Sequence, residues 1–252
     1  DALDLPADSS RFGLPAASGW IREATSGVDG DAAHTSVAAS SSGLTLGVVG
    51  PAAVSFYWKR DGAGDMTVTG MPFVGQASDS WTKAAFLVGD GNHEYNWNLD
   101  HQSVQAVPIY LDQVEVAPFI PLSEALDSDL TFTTGGDYEW HGIPGGNDYA
   151  SAAAMDDGLV STFPQTSTWL ETRVEGPGLL EFNWARTEDV LVQADLFLTI
   201  DGKQVVSANS TAWESVTTSL AEGDHTLRWI FRSSGGHKAN SAALDRVRVI
   251  PN

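Results

Sequence analysis

Two aspartates at matching places in the sequence are the side chains whose type and position most directly suggest chemistry. Asp112 lies in the run Leu111–Val116 and Asp245 in the run Leu244–Val249, and both runs have the pattern Leu-Asp-x-Val-x-Val. Side chains alternate between the two faces of a β-strand, so if the valines face a core, these closing-strand aspartates face it as well. A buried carboxylate is costly unless it is paired or bound to a metal ion.

Loop-like segments that precede the closing-strand aspartates carry further oxygen ligands. Asp29 and Asp31 lie in the segment of the first half, and Asn147 and Asp148 lie in that of the second half. Carboxylate and amide oxygens, together with backbone carbonyls, are the ligands of Ca²⁺ in proteins. We therefore expect a structural calcium site in each half. The alternative is that each closing-strand aspartate only accepts hydrogen bonds from backbone N–H groups at the start of its strand.

The chain contains nine tryptophans, and eight of them occupy matching places in its two halves. The matched pairs are Trp20 with Trp140, Trp58 with Trp184, Trp81 with Trp213, and Trp97 with Trp229. Because both halves keep them, these pairs are most simply framework residues of a shared core. Trp169 has no counterpart, and it lies in a Ser- and Thr-rich approach to a strand, where an apolar ring need not be buried.

Aromatic residues of the second half define a candidate ligand-binding site. Tyr138, Trp140, His141 and Tyr149 lie close together in sequence, and Trp169 joins them as the unmatched tryptophan. Aromatic rings stack on the apolar faces of sugars, while neighbouring polar side chains bind the sugar hydroxyls. We therefore expect these five residues to bind a glycan. The alternative is that the loop residues only cap one end of the fold.

Catalytic motifs are missing from the sequence. It contains no Gly-x-Ser-x-Gly elbow, no phosphate-binding Gly-Lys-Ser/Thr loop and no dinucleotide fingerprint. There is no cysteine, which excludes disulfides, zinc-thiolate sites and cysteine nucleophiles. Glycoside cleavage needs two carboxylates at a set separation, but among 33 acidic residues some pair is always close, so abundance alone indicates nothing. We expect a protein that is not an enzyme.

The net charge of the chain limits the classes of molecule that it is expected to bind. The net charge is −20 at pH 7, with only 13 lysines and arginines. A nucleic-acid backbone is repelled by such a chain, and an anionic membrane surface is disfavoured for the same reason. No apolar run approaches the length of a membrane span, so we expect no membrane insertion.

Four sequence blocks occur twice in the same order, so we interpret the chain as two divergent copies of one module. Gly50-Pro51 precedes an alternating apolar run in the first copy, and Gly176-Pro177 precedes one in the second. Gly91–His93 and Gly223–His225 then mark matching turns. The closing runs and the opening Ala-Leu-Asp segments also match. Prolines between residues 118 and 123 place the boundary there, which gives modules 1–120 and 121–252.

Period-two alternation of apolar residues dominates both modules, as in Val54, Phe56 and Trp58, whereas no segment sustains a helical period. Short strands with Gly, Asn and Asp turns are typical of sandwiches and jelly rolls. The sequence therefore predicts an all-β chain with two tandem jelly-roll β-sandwich domains, concanavalin-like or galactose-binding-like.

The repeated segments resemble known extracellular modules. The runs Tyr110–Val114 and Ala243–Val247 look like the closing strand of MAM-type domains. The segments Gly176–Trp184 and Gly223–Trp229 look like modules appended to large secreted bacterial enzymes and adhesins. The resemblance extends over nearly the whole chain. It implies a jelly-roll sandwich of the kind shared by MAM domains and many carbohydrate-binding modules, in which structural calcium sites are common.

These observations favour one function over two alternatives. We expect an extracellular or cell-surface, non-catalytic binding module that forms part of a larger polypeptide and tethers it to a polysaccharide. One alternative is a structural or adhesive repeat of a large surface protein with protein partners, and the other is a glycan-active hydrolase. Because the unmatched aromatic residues lie in the second copy, we expect the ligand there, with the first copy as its support.

Overall fold

The computed structural model describes residues 3, 12–13, 20–23, 27–35, 41–60, 66–69, 79–100, 108–145, 148–153, 165–186, 194–233 and 241–251. Of these, the residues up to Pro118 form one compact unit, and those from Phe119 onward form a second. The described helix, α1, comprises Leu122–Ala125 and is four residues long. Among the described residues, no helix has the length and apolar character needed to cross a membrane.

The first module is a single antiparallel sheet that folds over on itself. Its strands are β1 (Phe12–Gly13), β2 (Trp20–Glu23), β3 (Ala32–Thr35), β4 (Ser41–Arg60), β5 (Met66–Thr69), β6 (Thr82–Asp100) and β7 (Ile109–Ala117). They lie in the order β2-β3-β7-β4-β6-β5, with β1 paired to β4. The first half of β4 pairs with β1 and its second half with β7, so the β4–β6 hairpin belongs to both layers of a sandwich.

The hairpin of β4 and β6 bends at Gly50, where its register shifts. A Cβ at Gly50 would lie 1.9 Å from the carbonyl oxygen of Gly89, so only glycine permits this approach of the two backbones. Leu46 before the bend and Phe56 after it belong to one buried core, which establishes that the two halves of the sheet face each other.

The second module repeats this construction. Its strands are β8 (Thr133–Gly136), β9 (His141–Ile143), β10 (Tyr149–Ala153), β11 (Thr166–Arg186), β12 (Ala194–Ile200), β13 (Lys203–Ser207), β14 (Glu214–Ser233) and β15 (Ser241–Pro251). They lie in the order β13-β12-β14-β11-β15-β10-β9, with β8 paired to β11. The long strands β11 and β14 correspond to β4 and β6.

The bend in the second module lies at Gly176, where a Cβ would be 1.9 Å from the carbonyl oxygen of Ala221. Leu170 before the bend and Phe182 after it share one buried core with Trp229. The peptide bonds Gly50–Pro51 and Gly176–Pro177 are both cis. The prediction of an all-β chain with two tandem β-sandwiches of the jelly-roll type is therefore confirmed.

Each sandwich has two layers, a closing layer and an opposite layer. The closing layer contains the last strand of the module. In the first module it consists of β7 with β2 and β3, and in the second module of β15 with β9 and β10. The opposite layer contains β1 and β5 in the first module, and β8, β12 and β13 in the second. The face of either layer that points away from the core is its outer face.

A β-bulge in each closing strand corrects the predicted orientation of the closing-strand aspartates. Gln113 in β7 and Arg246 in β15 have positive φ angles of 49° and 55°, and the pairing of each strand shifts register there. One extra residue reverses the alternation of side chains. Asp112 consequently lies opposite Tyr57 on the outer face. The prediction that these aspartates share a face with the valines is wrong for this reason.

The bulge also fixes the opening segment of each module. Just beyond it, the N–H group of Val114 donates to the carbonyl of Leu3 at 3.1 Å. In the second module, the N–H group of Val247 donates to the carbonyl of Leu126 at 2.9 Å. Leu3 and Leu126 are both buried in their cores. The repeat therefore extends from the sequence to individual hydrogen bonds.

Candidate ligand-binding faces

The five aromatic residues predicted to bind a ligand do not form one surface. Trp169 lies on the outer face of the opposite layer, because its neighbour Leu170 is wholly buried in the core. His141 and Tyr149 lie on the closing layer, where β9 pairs with β10. These two locations belong to different layers of the second sandwich, so they cannot contribute to one binding surface as a continuous face.

Trp169 is a packed residue of its outer face. The Arg228 guanidinium lies 4.6 Å from the centre of the indole ring. Gly135 lies so close beside the ring that a Cβ there would be 2.6 Å from the Cζ2 atom. Arg228 is held in turn by Glu171, with an N–O distance of 2.5 Å. The ring is thus enclosed by a glycine backbone and by an ion-paired cation.

Trp140 is 2% exposed and belongs to the core, so the prediction that it stacks on a ligand is wrong. Its backbone N–H donates to the hydroxyl of Thr134 at 2.8 Å. Tyr138 is half-buried, and its backbone carbonyl accepts a hydrogen bond from the hydroxyl of Thr168. The segment around these two residues is therefore tied to the edge of β11, as the alternative interpretation of a capping loop predicts.

His141 is packed against an aromatic neighbour. Its imidazole stacks on Phe119, with ring centres 4.2 Å apart and an angle of 25° between the planes. Burial lowers the pKa of His141, and the charge of Glu139 opposes that effect. The ring is therefore neutral at physiological pH, and it offers a ligand no fixed positive charge.

An aromatic pair, of which the sequence singled out only Tyr149, lies on the outer face of the closing layer. Trp213 is 51% exposed, the largest exposed fraction of any described tryptophan. Its indole meets the ring of Tyr149 edge to face, at 5.8 Å between centres and an angle of 77°. Burial raises the pKa of Tyr149 to about 12, so its hydroxyl stays protonated and can donate a hydrogen bond.

Small residues explain how these two rings meet across the sheet. Ala185 on β11 lies opposite Ala243 on β15, and Ala243 lies opposite Ser151 on β10. Trp213 immediately precedes β14, beside Ala185 in the register that the strand pairing sets. The methyl side chains of the two alanines project only a short distance from the outer face, so the long side chains on either side of them can reach each other.

Polar groups border the aromatic pair. Asn183 and Asp245 lie directly opposite each other on β11 and β15. The amide oxygen of Asn183 accepts a hydrogen bond from the hydroxyl of Ser215 at 2.7 Å. Burial is the main cause that raises the pKa of Asp245, while the nearby charge of Arg246 lowers it. An amide, a hydroxyl and a carboxylate thus stand on the same face as Trp213.

Asp112, the closing-strand aspartate of the first module, is completely enclosed although it lies on an outer face. One carboxylate oxygen accepts the N–H of Val28 at 2.6 Å, and the other accepts the N–H of Gln113 at 2.8 Å. Burial raises its pKa against these hydrogen bonds, and the charges of Asp29 and Asp31 raise it further. The loop and the aspartate therefore converge, as the sequence spacing predicts.

The expected metal ligands are only partly assembled. Asp148 and Asp127 both raise the pKa of Asp245 through their charges, so three carboxylates lie near one another in the second module. Asn147 lies outside the described residues. Across the described parts of the chain, no group of three or more acidic or histidine side chains is arranged to hold a metal ion.

Sequence reasoning missed Trp213 as a site residue. It matches Trp81 in the first module, and matched tryptophans were interpreted as framework residues. Trp81 and Trp213 instead lie on the outer faces of their modules, whereas Trp58 and Trp184 lie in the cores. One available signal was the polar run that precedes Trp213, where Ser210 and Thr211 interrupt any apolar alternation. A tryptophan that follows such a run begins its strand at the rim of a sheet.

No family model matches the chain, and no characterised protein matches it in sequence. Among solved structures it is similar to the secreted serine protease VesC from Vibrio cholerae, at 15% identity and a TM-score of 0.36, over 83% of this chain and 46% of that one. The chain therefore spans about half the length of that protein. It is also similar to the N-terminal CBM22-1-CBM22-2 tandem domain of Paenibacillus barcinonensis Xyn10C, at 11% identity and a TM-score of 0.33, over 97% and 94% of the two chains. With TM-scores below 0.5, neither likeness bears on function.

Proposed function

We propose that this chain is an extracellular or cell-surface, non-catalytic glycan-binding protein whose second module holds a polysaccharide on the outer face of its closing layer. The observation that carries the proposal is Trp213, a tryptophan 51% exposed on a sheet face. Tyr149 adjoins it, and Asn183 and Asp245 border the pair. The proposed role is to tether a larger polypeptide to the polysaccharide.

The arrangement suits a sugar because a sugar presents two kinds of surface. The C–H groups of one face of a pyranose are apolar and stack on an aromatic ring, while its hydroxyls need hydrogen-bonding partners. Trp213 supplies the ring. The amide of Asn183, the hydroxyl of Ser215 and the carboxylate of Asp245 supply donors and acceptors at its border.

Charge selects among polysaccharides at this face. Asp245 stands beside the aromatic pair, opposite Asn183 on the same outer face. Like charges at close range disfavour an anionic ligand, and the net charge of −20 adds to that effect at low salt. The second module therefore takes a neutral polysaccharide.

A structural calcium ion belongs to the same proposal. Asp112 is wholly buried, and the carboxylates of Asp29 and Asp31 raise its pKa, so negative charge accumulates in one place. Each oxygen of Asp112 accepts one N–H, which leaves further lone pairs for a hard cation. In the second module Asp245 and Asp148 would hold the ion. When bound, Ca²⁺ supplies fixed positive charge that offsets the repulsion between the neighbouring carboxylates.

The calcium proposal is tested by thermal unfolding. A ligand that binds only the native state raises its stability, by about 2.7 kcal/mol at a free concentration 100 times its dissociation constant. We expect EDTA to lower the unfolding midpoint and excess Ca²⁺ to restore it, with Mg²⁺ less effective. An unchanged midpoint in EDTA contradicts the site.

Glycan binding is tested with arrays and immobilised polysaccharides at millimolar calcium, using the full chain. Trp213→Ala is expected to weaken binding about 30-fold, since loss of a central tryptophan contact costs about 2 kcal/mol. Val205→Ala, which changes an exposed apolar residue of the opposite layer, serves as the matched control. Trp169→Ala tests the site expected from sequence.

Two results would contradict this proposal. Absence of binding to any glycan would remove the function itself. A loss of binding in Trp169→Ala, with Trp213→Ala unaffected, would transfer the site to the opposite layer. Circular dichroism of each variant shows whether the sandwich remains folded.

A further inference from the structure

We propose that the polysaccharide lies along β11 on the outer face of the closing layer of the second module, so that the site binds an internal stretch of a linear chain. This inference rests on the proposed function, because it extends the site at Trp213. The surface comprises Ala185, Asn183, Glu181 and Leu179 of β11 with the residues opposite them on β14 and β15. We call it the β11 strip.

The β11 strip consists of four rows that follow one another along the strands. The first row lies beside Trp213, which immediately precedes β14. The fourth row lies next to the bend at Gly176. Alternate residues of a strand lie about 6.7 Å apart on one face, so the three steps between the rows span roughly 20 Å. A strip of that length accommodates several consecutive sugar units.

The two middle rows of the strip present hydrogen-bonding groups. The second row contains Asn183 between a serine of β14 and Asp245 of β15. In the third row, Glu181 lies between Thr217 and Arg248. Each sugar unit of a polysaccharide carries hydroxyls that need such partners. The polar groups therefore continue along the strands beyond the border of the aromatic pair.

The ion pair of the third row holds both of its groups in fixed positions. The Nε and Nη2 atoms of Arg248 donate to the Oε2 atom of Glu181 at 2.8 Å and 2.5 Å. Both donors use one oxygen, so within the described part of the chain Oε1 of Glu181 and Nη1 of Arg248 keep their capacity to bind a ligand. A sugar hydroxyl both donates and accepts, so neighbouring hydroxyls fit this carboxylate and guanidinium. The pair has no net charge, which agrees with a neutral polysaccharide.

The fourth row ends the strip with a second apolar surface. Leu179 lies opposite Ile250 on β15 and Ser219 on β14. The neighbouring Leu180 is wholly buried in the core, so Leu179 faces outward, and Ile250 is 39% exposed. The strip thus has apolar contacts at both ends, at Trp213 and at Ile250, with polar rows between them. This order suits a chain whose sugar units each present apolar C–H groups and hydroxyls.

The direction across the sheet offers a sugar chain far fewer partners. Beside the first row, Ala243 has no hydrogen-bonding side chain. The next residue across, Ser151, is 8% exposed, and its hydroxyl donates to a backbone carbonyl of β15 at 3.1 Å. His141, which follows it, is stacked on Phe119. Hydroxyls buried there would lose their water without gaining partners, so the strands set the direction of the ligand.

The matching strip of the first module is closed to a ligand. The repeat matches Leu179 and Glu181 with Ala53 and Ser55, which lie at the same distances after the Gly-Pro dipeptides. Ala53 is 2% exposed and Ser55 is 4% exposed, and Leu87, which lies opposite Ala53 on β6, is 1% exposed. An accessible strip along the long strand is therefore a feature of the second module, where Trp213 also lies.

The test measures binding of the full chain to a trisaccharide and a hexasaccharide of a neutral polysaccharide that it binds, by isothermal titration calorimetry. Ile250→Ser and Arg248→Ala change the strip away from Trp213. Val205→Ser and Arg173→Ala change an exposed apolar residue and an exposed arginine of the opposite layer, and they are the matched controls. We expect each strip variant to weaken hexasaccharide binding about 5-fold and to leave trisaccharide binding within about 2-fold of wild type, while the controls change neither.

The outcome separates this inference from the proposed function. Trp213→Ala should weaken binding of both oligosaccharides, because both contact the first row. The inference is overturned, with the proposed function intact, if the wild type binds the two oligosaccharides equally tightly or if the strip variants leave hexasaccharide binding unchanged. Equal weakening of both oligosaccharides by a strip variant also overturns it, because that variant then acts through the fold. Absence of binding to any neutral polysaccharide would contradict the proposed function, and the inference with it.

Discussion

Replacement of Asp112 by alanine is expected to destabilise the protein by about 2–4 kcal/mol. The side chain is wholly buried and accepts backbone N–H groups from Val28 at 2.6 Å and Gln113 at 2.8 Å. Hydrogen bonds to a charged group contribute about 1.5–3 kcal/mol each, which sets a gross loss of roughly 3–6 kcal/mol. The cost of burying the carboxylate, which raises its pKa, offsets part of that loss.

The pH dependence of this effect has a definite sign. Because burial raises the pKa of Asp112 above the ordinary value of 3.8, the folded chain binds the proton more tightly than the unfolded chain does. The stabilisation by Asp112 is therefore greatest below pH 3.8 and declines as the pH rises through the folded pKa. The stability difference between wild type and Asp112→Ala should shrink from acidic to neutral pH.

Urea denaturation of the full chain in EDTA, followed by tryptophan fluorescence at several pH values, measures this difference. Glu115→Ala, at an exposed position of the same strand, is the control and should change stability by less than about 0.5 kcal/mol. Asp112→Asn keeps one acceptor and should lie between alanine and wild type. A difference that grows from acidic to neutral pH would refute the reasoning, since the hydrogen bonds would then outweigh the cost of burial.

Three further predictions concern the second module. Trp213→Ala should lower the pKa of Tyr149 from about 12 toward 10, because the ring becomes hydrated, and ultraviolet titration of tyrosinate measures it. Gly176→Ala should lower the free energy of unfolding, measured by urea denaturation, by about 1–3 kcal/mol, because its Cβ would lie 1.9 Å from a carbonyl oxygen of the facing strand; an unchanged free energy of unfolding contradicts the bend. The hydrogen bond from His225 to Asp201 raises the pKa of the histidine, so the pair stabilises the fold below pH 6.5 and this contribution is lost as the pH rises through the folded pKa. His225→Gln should therefore lower the midpoint more at about pH 6 than at about pH 9, and an equal loss at both would exclude the charged pair.

The fold was predictable because short-range sequence patterns determine its strands and bends. Alternating apolar residues such as Phe182 and Trp184 identify inner faces, and the two Gly-Pro dipeptides mark the bends at Gly50 and Gly176. Both signals depend on neighbouring residues in sequence. Their repetition in two copies made the interpretation as tandem sandwiches secure.

The site was harder to predict because it depends on partners that are distant in sequence. The bulge at Arg246 needs no glycine and leaves no sequence signal, although it determines the face on which Asp245 lies. Trp213 and Trp229 have the same standing in the repeat, yet one is 51% exposed and the other is fully buried. Apart from the polar run before Trp213, only the pairing of strands separates the two tryptophans.

The same dependence explains why the packing of Trp169 was not predicted from the sequence. Its ring is covered by Arg228, which lies on β14 and is held by Glu171 on β11. An unmatched tryptophan in a polar segment therefore turned out to be packed by a long-range ion pair.

The most direct test of the central claim is the position of the ligand relative to the tryptophan side chains. Indole N–H resonances of the ¹⁵N-labelled full chain, assigned with single Trp→Phe variants, can be followed during titration with a neutral polysaccharide fragment that the chain binds. We predict that the Trp213 resonance moves with the occupancy of the site, while those of buried Trp184 and Trp229 stay fixed. A Trp213 resonance that stays fixed at saturation, while that of Trp169 moves, would contradict the assignment of the binding face.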